Sequence, residues 1–268
     1  MMMGWMALAI GVPVGLIMGI TGAGGGMLAL SALVLLLDWN MQQATPVALM
    51  AVTAGAYIGG IDGLRKRLVR YRAAVLMALM GAPFAIAGVQ LARLLPQKWL
   101  MLSFAIVLIW VGTRLIRQKR PLLADDTDRP VLARLNPVTG RFNWTLRTTV
   151  VISAIGGMAG FMTGLLGVGG GFVIVPLLRH YTNVSMHAAV ATSLLVIALV
   201  GTVGVSTALI QGVALPAEFT ALFMLATIAG MLAGRRLVAH LHASTVQRLF
   251  AILLLLVALG MTIKALMA

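Results

Sequence analysis

Polar residues interrupt this chain so rarely that its apolar runs organise the reading. Ten runs stand out, five on each side of a hydrophilic stretch. The first five cover roughly 4–20, 26–37, 42–61, 73–94 and 99–116. The second five cover roughly 148–166, 171–180, 187–210, 217–236 and 246–266. A membrane-spanning helix needs about 20 apolar residues. Most of the runs reach that length. The runs 26–37 and 171–180 fall short, and each is expected to be a half-helix folded back on the run before it. Between the fifth and sixth runs lie Pro121, Asp125, Asp126, Asp128, Pro130 and Pro137 without amphipathic period. That stretch reads as a linker. The expected domains are a first repeat at 1–117, a linker at 118–146 and a second repeat at 147–268.

Both short runs follow a glycine cluster. GLIMGITGAGGG begins at Gly15, and GFMTGLLGVGGG begins 145 residues later at Gly160. Gly15, Gly19, Gly22, Gly24, Gly25 and Gly26 fall on Gly160, Gly164, Gly167, Gly169, Gly170 and Gly171. One constant offset for six glycines marks an internal duplication.

Composition sets the solvent. The 268 residues are 61% hydrophobic and 10% charged, against about 25% charged in a soluble domain. A water-facing surface cannot be built from this material, so the bilayer is a partner of the fold. The N-terminal run lacks a basic leader and is read as a membrane segment, not a cleaved signal. With no cysteine there is no disulfide or thiolate metal site.

The net charge of +14 would suggest nucleic acid in a soluble protein. In a chain this apolar it marks loops held on the cytoplasmic side, and no nucleic-acid partner is expected. Arg65, Lys66, Arg67, Arg70 and Arg72 crowd one loop. The linker and its flanks carry eight more arginines and lysines, from Arg114 to Arg147, and Arg235 and Arg236 mark a third loop. Alternating crossings place these loops on one side and leave only Arg93, Lys98 and Lys264 on the other. The localisation expected is a bacterial inner membrane, with the linker cytoplasmic and both termini outside. Trp5, Trp39 and Trp99 then sit near the outer interface and Trp144 near the inner one.

The basic loop 62–72 aligns with the neutral turn 211–216, and the turn 93–98 aligns with the loop holding Arg235 and Arg236. Equivalent loops thus lie on opposite sides, and the repeats are inverted. The expected fold is an all-α polytopic membrane protein of two inverted repeats, each a glycine-broken helical hairpin plus three transmembrane helices. Broken helices meeting near the midplane of inverted repeats form the binding sites of many transporters.

A helix restarting after Gly26 or Gly171 presents free backbone N–H groups and the positive end of its dipole. Glycine lets an oxyanion approach the backbone and permits positive φ in the turn. Two such ends facing each other would hold a small anionic substrate with no Lys or Arg in the hydrocarbon. The candidate binding residues are Thr21, Gly24, Gly25, Gly26, Gly169, Gly170, Gly171, Thr192 and Ser193, with Thr163 as a further hydroxyl. Gly11, Gly15, Gly156 and Gly160 are read instead as helix-packing positions.

Asp38, Asp62 and Glu218 stand at segment ends and the other acids lie in the linker. This disfavours a cation pathway or a carboxylate proton relay. His187 at a helix end reads as an interfacial polar residue. His240 and His242 are two apart and do not share a helical face, and the 18 methionines are scattered, so no metal or other cofactor is expected.

The motifs GITGAGGG and GLLGVGGG, Pro176 after the second, and AVATS at 189–193 resemble the sulfite exporter TauE/SafE family of membrane permeases. The resemblance covers nearly the whole chain. It implies a permease of two similar halves that moves sulfite, sulfoacetate, thiosulfate or another small sulfur-containing or organic anion. The first half departs from the pattern, with Ser31 opposite Pro176 and Val47 and Ala48 opposite Thr192 and Ser193. The leading expectation is an anion permease working by alternating access, and the alternative is an anion channel lined by the same helix ends. No nucleophile, base and carboxylate constellation points to an enzyme.

Overall fold

Inside a bilayer every backbone amide needs a partner within the protein, and coiling into helices supplies one locally. The computed structural model describes residues 2–21, 24–117, 132–133, 142–213, 215–237 and 243–267. Helices follow all ten apolar runs. The first half gives α1 (Met2–Thr21), α2 (Gly25–Leu36), α3 (Met41–Arg65), α4 (Tyr71–Leu94) and α5 (Gln97–Arg117). The second gives α6 (Leu146–Leu166), α7 (Gly171–Tyr181), α8 (Met186–Ile210), α9 (Ala217–Leu237) and α10 (Ala243–Met267). Among the described residues there is no strand, only an isolated bridge between Ala133 and Thr182. Most of the linker expected at 118–146, together with Gly22, His240 and His242, lies outside the described residues.

Among the described residues, eight helices are long and apolar enough to cross a membrane. The other two, α2 with 12 residues and α7 with 11, extend only about 18 and 17 Å, against a hydrocarbon core of about 30 Å. As expected, they fold back. Gly25 lies against Met18 of α1, and Gly170 lies against Ala159 and Thr163 of α6. Leu79, Phe84, Ile106, Leu225, Leu256 and Leu259 are more than half exposed. Hydrocarbon is the medium that makes such a surface stable.

Two pairs of helices run parallel on glycine seams. Along α1, Gly11 faces Ala226, Gly15 faces Thr227 and Gly19 faces Met231 of α9, while Gly230 and Gly234 receive Val12 and Leu16 in return. Along α6, Gly156, Gly160 and Gly164 meet Met77, Gly81 and Ala85 of α4. Several of these contacts are to backbone carbonyls, so the seams are tight helix packing of the small-residue kind. Gly11, Gly15, Gly156 and Gly160 are therefore the packing glycines that the sequence reading took them for.

The equivalent helices α3 and α8 cross in the centre and run antiparallel: Leu49 meets Gly204, Thr53 meets Gly201 and Gly63 meets Ala191. The equivalents α5 and α10 are also antiparallel, with Gly112 against Leu255 and Gln247 bonded to Leu115. Exchanging the halves turns the α1–α9 pair into α6–α4, α1–α2 into α6–α7 and α2–α3 into α7–α8. A hydrogen bond of 2.9 Å joins Tyr57 to Thr202, residues 145 apart and thus each other's counterparts. These directions gather Arg65 to Arg72, Arg114, Arg117, Arg147, Arg235 and Arg236 at one end of the bundle, here called the basic end.

Candidate substrate site

The two glycine breaks stop and restart their helices by different means. In the first, the Thr21 hydroxyl donates to the Ile17 carbonyl at 2.8 Å and accepts from the Gly24 N–H at 3.3 Å. Gly24 keeps a right-handed conformation, with φ −90°. In the second, Gly167 ends α6 in the left-handed region with its N–H on the Thr163 carbonyl, and Gly169 and Gly170 are left-handed too, at φ +80° and +61°. Among the described glycines of the two breaks, positive φ occurs only in the second. In the first, glycine is required for room. A Cβ would strike the Phe250 ring from Gly24, Met18 from Gly25 and the Val168 carbonyl from Gly26.

That last contact brings the breaks together, because Val168 belongs to the second one. Gly169 lies between Val52 of α3 and Ile197 of α8, which are themselves repeat counterparts near the midpoints of the two central helices. Gly25, Gly26, Gly169, Gly170 and Gly171 are all buried. At α7 the first intrahelical bonds run from the Val173 and Ile174 N–H groups to the Gly170 carbonyl at 3.0 Å. The amides of Gly171 and Phe172 precede them and have no intrahelical acceptor. The geometry can thus offer backbone donors to an anion deep in the bilayer.

The hydroxyls divide. Thr21 sits at the first break, and Thr163 lies against Gly170 with its own hydrogen on Ala159. Thr192 and Ser193 do not join them. Thr192 accepts the Arg70 N–H at 3.0 Å and so ties α8 to the start of α4, while Ser193 donates to Val190 at 2.8 Å. Both lie toward the basic end from Ile197, Thr192 by about 7 Å of helix.

Sequence reasoning missed Thr53. Thr202, Thr207 and Thr227 each donate back to the carbonyl four residues before, the usual fate of a threonine in a helix. The Thr53 hydroxyl is buried against Gly201 with no hydrogen-bond partner. Its counterpart in the second repeat is Ala198, so the repeat offset gives it no emphasis; a lone threonine mid-run was the only signal.

Above Thr53, toward the end opposite the basic loops, a cavity of about 200 Å³ opens between α3, α4 and α8. Its floor includes Leu49, Gly164 and Gly204, each about one turn or less from the breaks and Thr53. Its polar lining is Gln42, Gln43, Thr45, Arg93 and Gln211, with no carboxylate. Arg93 donates to Gln211 at 3.1 Å, and Thr45 packs on Gly167 of the second break. The cavity thus has a guanidinium toward its mouth and ends on Leu49, Gly164 and Gly204, short of the break glycines and Thr53, which do not line it.

At the basic end charged side chains tie α9 to α3. Arg235 of α9 donates to Asp62 of α3 at 3.2 Å and to the Gly59 carbonyl at 3.5 Å, and Lys66 reaches the same carboxylate at 2.9 Å.

Among the described residues, eight candidate spans and two short helices whose glycine breaks meet at Gly26 and Val168 define a multi-pass helical membrane protein. The chain belongs to the sulfite exporter TauE/SafE family, whose model matches residues 7–261. It is 31% identical over 197 residues to a probable membrane transporter protein of Xylella fastidiosa strain 9a5c, covering 73% of this chain and 69% of the relative. It is 23% identical over 268 residues to the probable membrane transporter protein YunE of Bacillus subtilis strain 168, covering 94% and 96%. No solved structure matches the chain. The family and these relatives make the protein a membrane permease.

Proposed function

We propose that the protein moves a small anion, a sulfur oxyanion or an organosulfonate, across a bacterial inner membrane by alternating access between two inverted repeats. The observation that carries this reading is the meeting of the glycine breaks, Gly26 on Val168, beside the midpoints of α3 and α8. The antiparallel course of counterpart helices and the Tyr57–Thr202 bond support inverted repeats. Gathered cations at one end support a cytoplasmic basic end and outer termini. The anion is held by Thr21, Gly24, Gly25 and Gly26 from one half and Gly169, Gly170 and Gly171 from the other, with Thr53 as a hydroxyl donor. Arg93 draws it into the cavity from outside. The Arg235–Asp62–Lys66 cluster across the basic end favours a gated carrier over a continuous channel.

The test is uptake of radiolabelled sulfite and thiosulfate into proteoliposomes, with and without a pH gradient. Saturable uptake abolished by Gly26→Leu, in a variant that still inserts and purifies, is the expected result. Uptake unaffected by both Gly26→Leu and Gly170→Leu would remove the breaks from the site.

A further inference from the structure

The open cavity has a counterpart at the basic end that this structure holds shut. The repeat offset of 145 residues maps Gln42 to His187, Leu49 to Leu194, Gly164 to Gly19, Gly204 to Gly59 and Gln211 to Lys66. Gly59, Leu194, Gly19 and Lys66 gather around Arg235 and Asp62 at the basic end, and His187 stands in the first turn of α8 on the same side. Leu194 lies on Gly59 as Leu49 lies on Gly204. The difference is what covers them. Gly204 meets only Leu49, whereas Gly59 also meets Met231 and Arg235 of α9. Met231 is 1% exposed, and its counterpart Ile86 is 38% exposed. The end of α9 is therefore pressed into the α3–α8 crossing where the end of α4 is not, and Asp62 holds it there through Arg235.

We propose that the basic end contains a second anion site, lined by Gly19, Gly59, Lys66, His187 and Leu194, which opens when the Asp62–Arg235 pair parts. It rests on the alternating-access reading. The ligand is a small oxyanion or sulfonate. Lys66 stands where the outer cavity has the neutral Gln211, and supplies here the single positive charge that Arg93 supplies there. In the closed state Asp62 occupies both cations, Arg235 and Lys66. An arriving anion takes over those donors, so binding and unlocking favour each other. The same exchange explains a carboxylate at the end of a span in a protein that carries anions. It is the stand-in partner that keeps the cations satisfied while the site is empty.

The chain has no cysteine, so single cysteines report accessibility without further engineering. Leu194→Cys marks the closed site and Thr45→Cys the open cavity, each labelled with a water-soluble maleimide. With Asp62 intact, Thr45→Cys labels rapidly and Leu194→Cys slowly. Asp62→Asn raises labelling of Leu194→Cys about tenfold or more, as expected when a minor state of order 1–10% becomes dominant, and slows that of Thr45→Cys. Asp62→Glu keeps the carboxylate and restores the original pattern. Methanesulfonate, which reacts with neither thiol nor maleimide, protects Leu194→Cys in the Asp62→Asn background, and sodium chloride at equal concentration does not. Unchanged labelling at Leu194→Cys, or faster labelling at both positions, overturns the lock. Unlocking without protection overturns the anion site. Labelling is independent of uptake: unlocking and protection with no transport would leave this site standing and remove the permease cycle built on it. Transport with no unlocking would do the reverse.

Discussion

Gly170 and Gly212 share a left-handed backbone, at φ +61° and +77°, but differ in their surroundings. A Cβ on Gly170 would lie 2.6 Å from the Ala159 carbonyl and 2.8 Å from Thr163 Oγ1, and one on Gly212 would meet nothing within 4 Å. Those two neighbours cannot step aside independently, because Thr163 donates to Ala159 at 2.7 Å. An alanine in the left-handed region costs about 1–2 kcal/mol. Forcing a methyl into a filled space adds about 1–3 kcal/mol. Gly170→Ala should therefore destabilise by about 2–5 kcal/mol and Gly212→Ala by about 1–2 kcal/mol. Each gains about 0.4–1 kcal/mol from a stiffer unfolded chain, and that gain cancels in the comparison. The assay is reversible denaturation in mixed micelles, paired with uptake per folded molecule in proteoliposomes. Gly170→Ala should also lose uptake, since shifting α7 from α6 moves the amides of Gly171 and Phe172. Equal destabilisation by both substitutions, or full uptake by folded Gly170→Ala, would refute the reasoning.

Three further outcomes follow from the site. Thr53→Val removes a buried hydroxyl with no partner, whose burial costs about 1–3 kcal/mol; denaturation should show unchanged or higher stability while uptake falls. A stability loss with normal uptake would make Thr53 a packing residue. Arg93→Gln should raise KM for uptake from outside several-fold and flatten its ionic-strength dependence, with kcat little changed, because it removes a steering charge at the cavity mouth. Lys264→Met should cost no more than about 1 kcal/mol in the same denaturation assay and leave uptake unchanged, since Lys264 pairs with an exposed Asp38 at the end of α2.

The helices were legible because lipid leaves the sequence little freedom. Apolar runs can only coil, and their ends fall near loop residues such as Lys66 and Pro96. The backfolded α2 and α7 were legible from length alone. The glycine offset identified both breaks, and Gly15 and Gly160 were separable as packing glycines by their spacing of four. What the sequence concealed were relations between elements. Nothing in AVATS distinguishes a threonine facing a substrate from one accepting the Arg70 N–H, because that choice depends on where α4 begins. Thr53 was invisible for the opposite reason: its importance lies in a bond it does not make. The cavity was concealed as well, since Gln42, Arg93 and Gln211 are far apart in the chain and each is an ordinary residue at a helix end.

The duplication also explains why the halves need not match. At a two-fold crossing such as α3–α8, a residue near the axis meets its own counterpart, as Tyr57 meets Thr202. Two bulky copies would collide there and two small ones would leave a gap, so a pair of unlike residues packs best. The halves also differ at Thr53 and Ala198, and in the left-handed Gly169 and Gly170 against a right-handed Gly24. A ligand between such halves meets a hydroxyl and a right-handed turn at Gly24 on one side and a left-handed turn at Gly169 and Gly170 on the other. It has one preferred orientation even though the frame around it is nearly symmetric. In the proposed cycle the frame supplies two equivalent ends to open and close, and the departures from symmetry at its centre give the proposed site its shape.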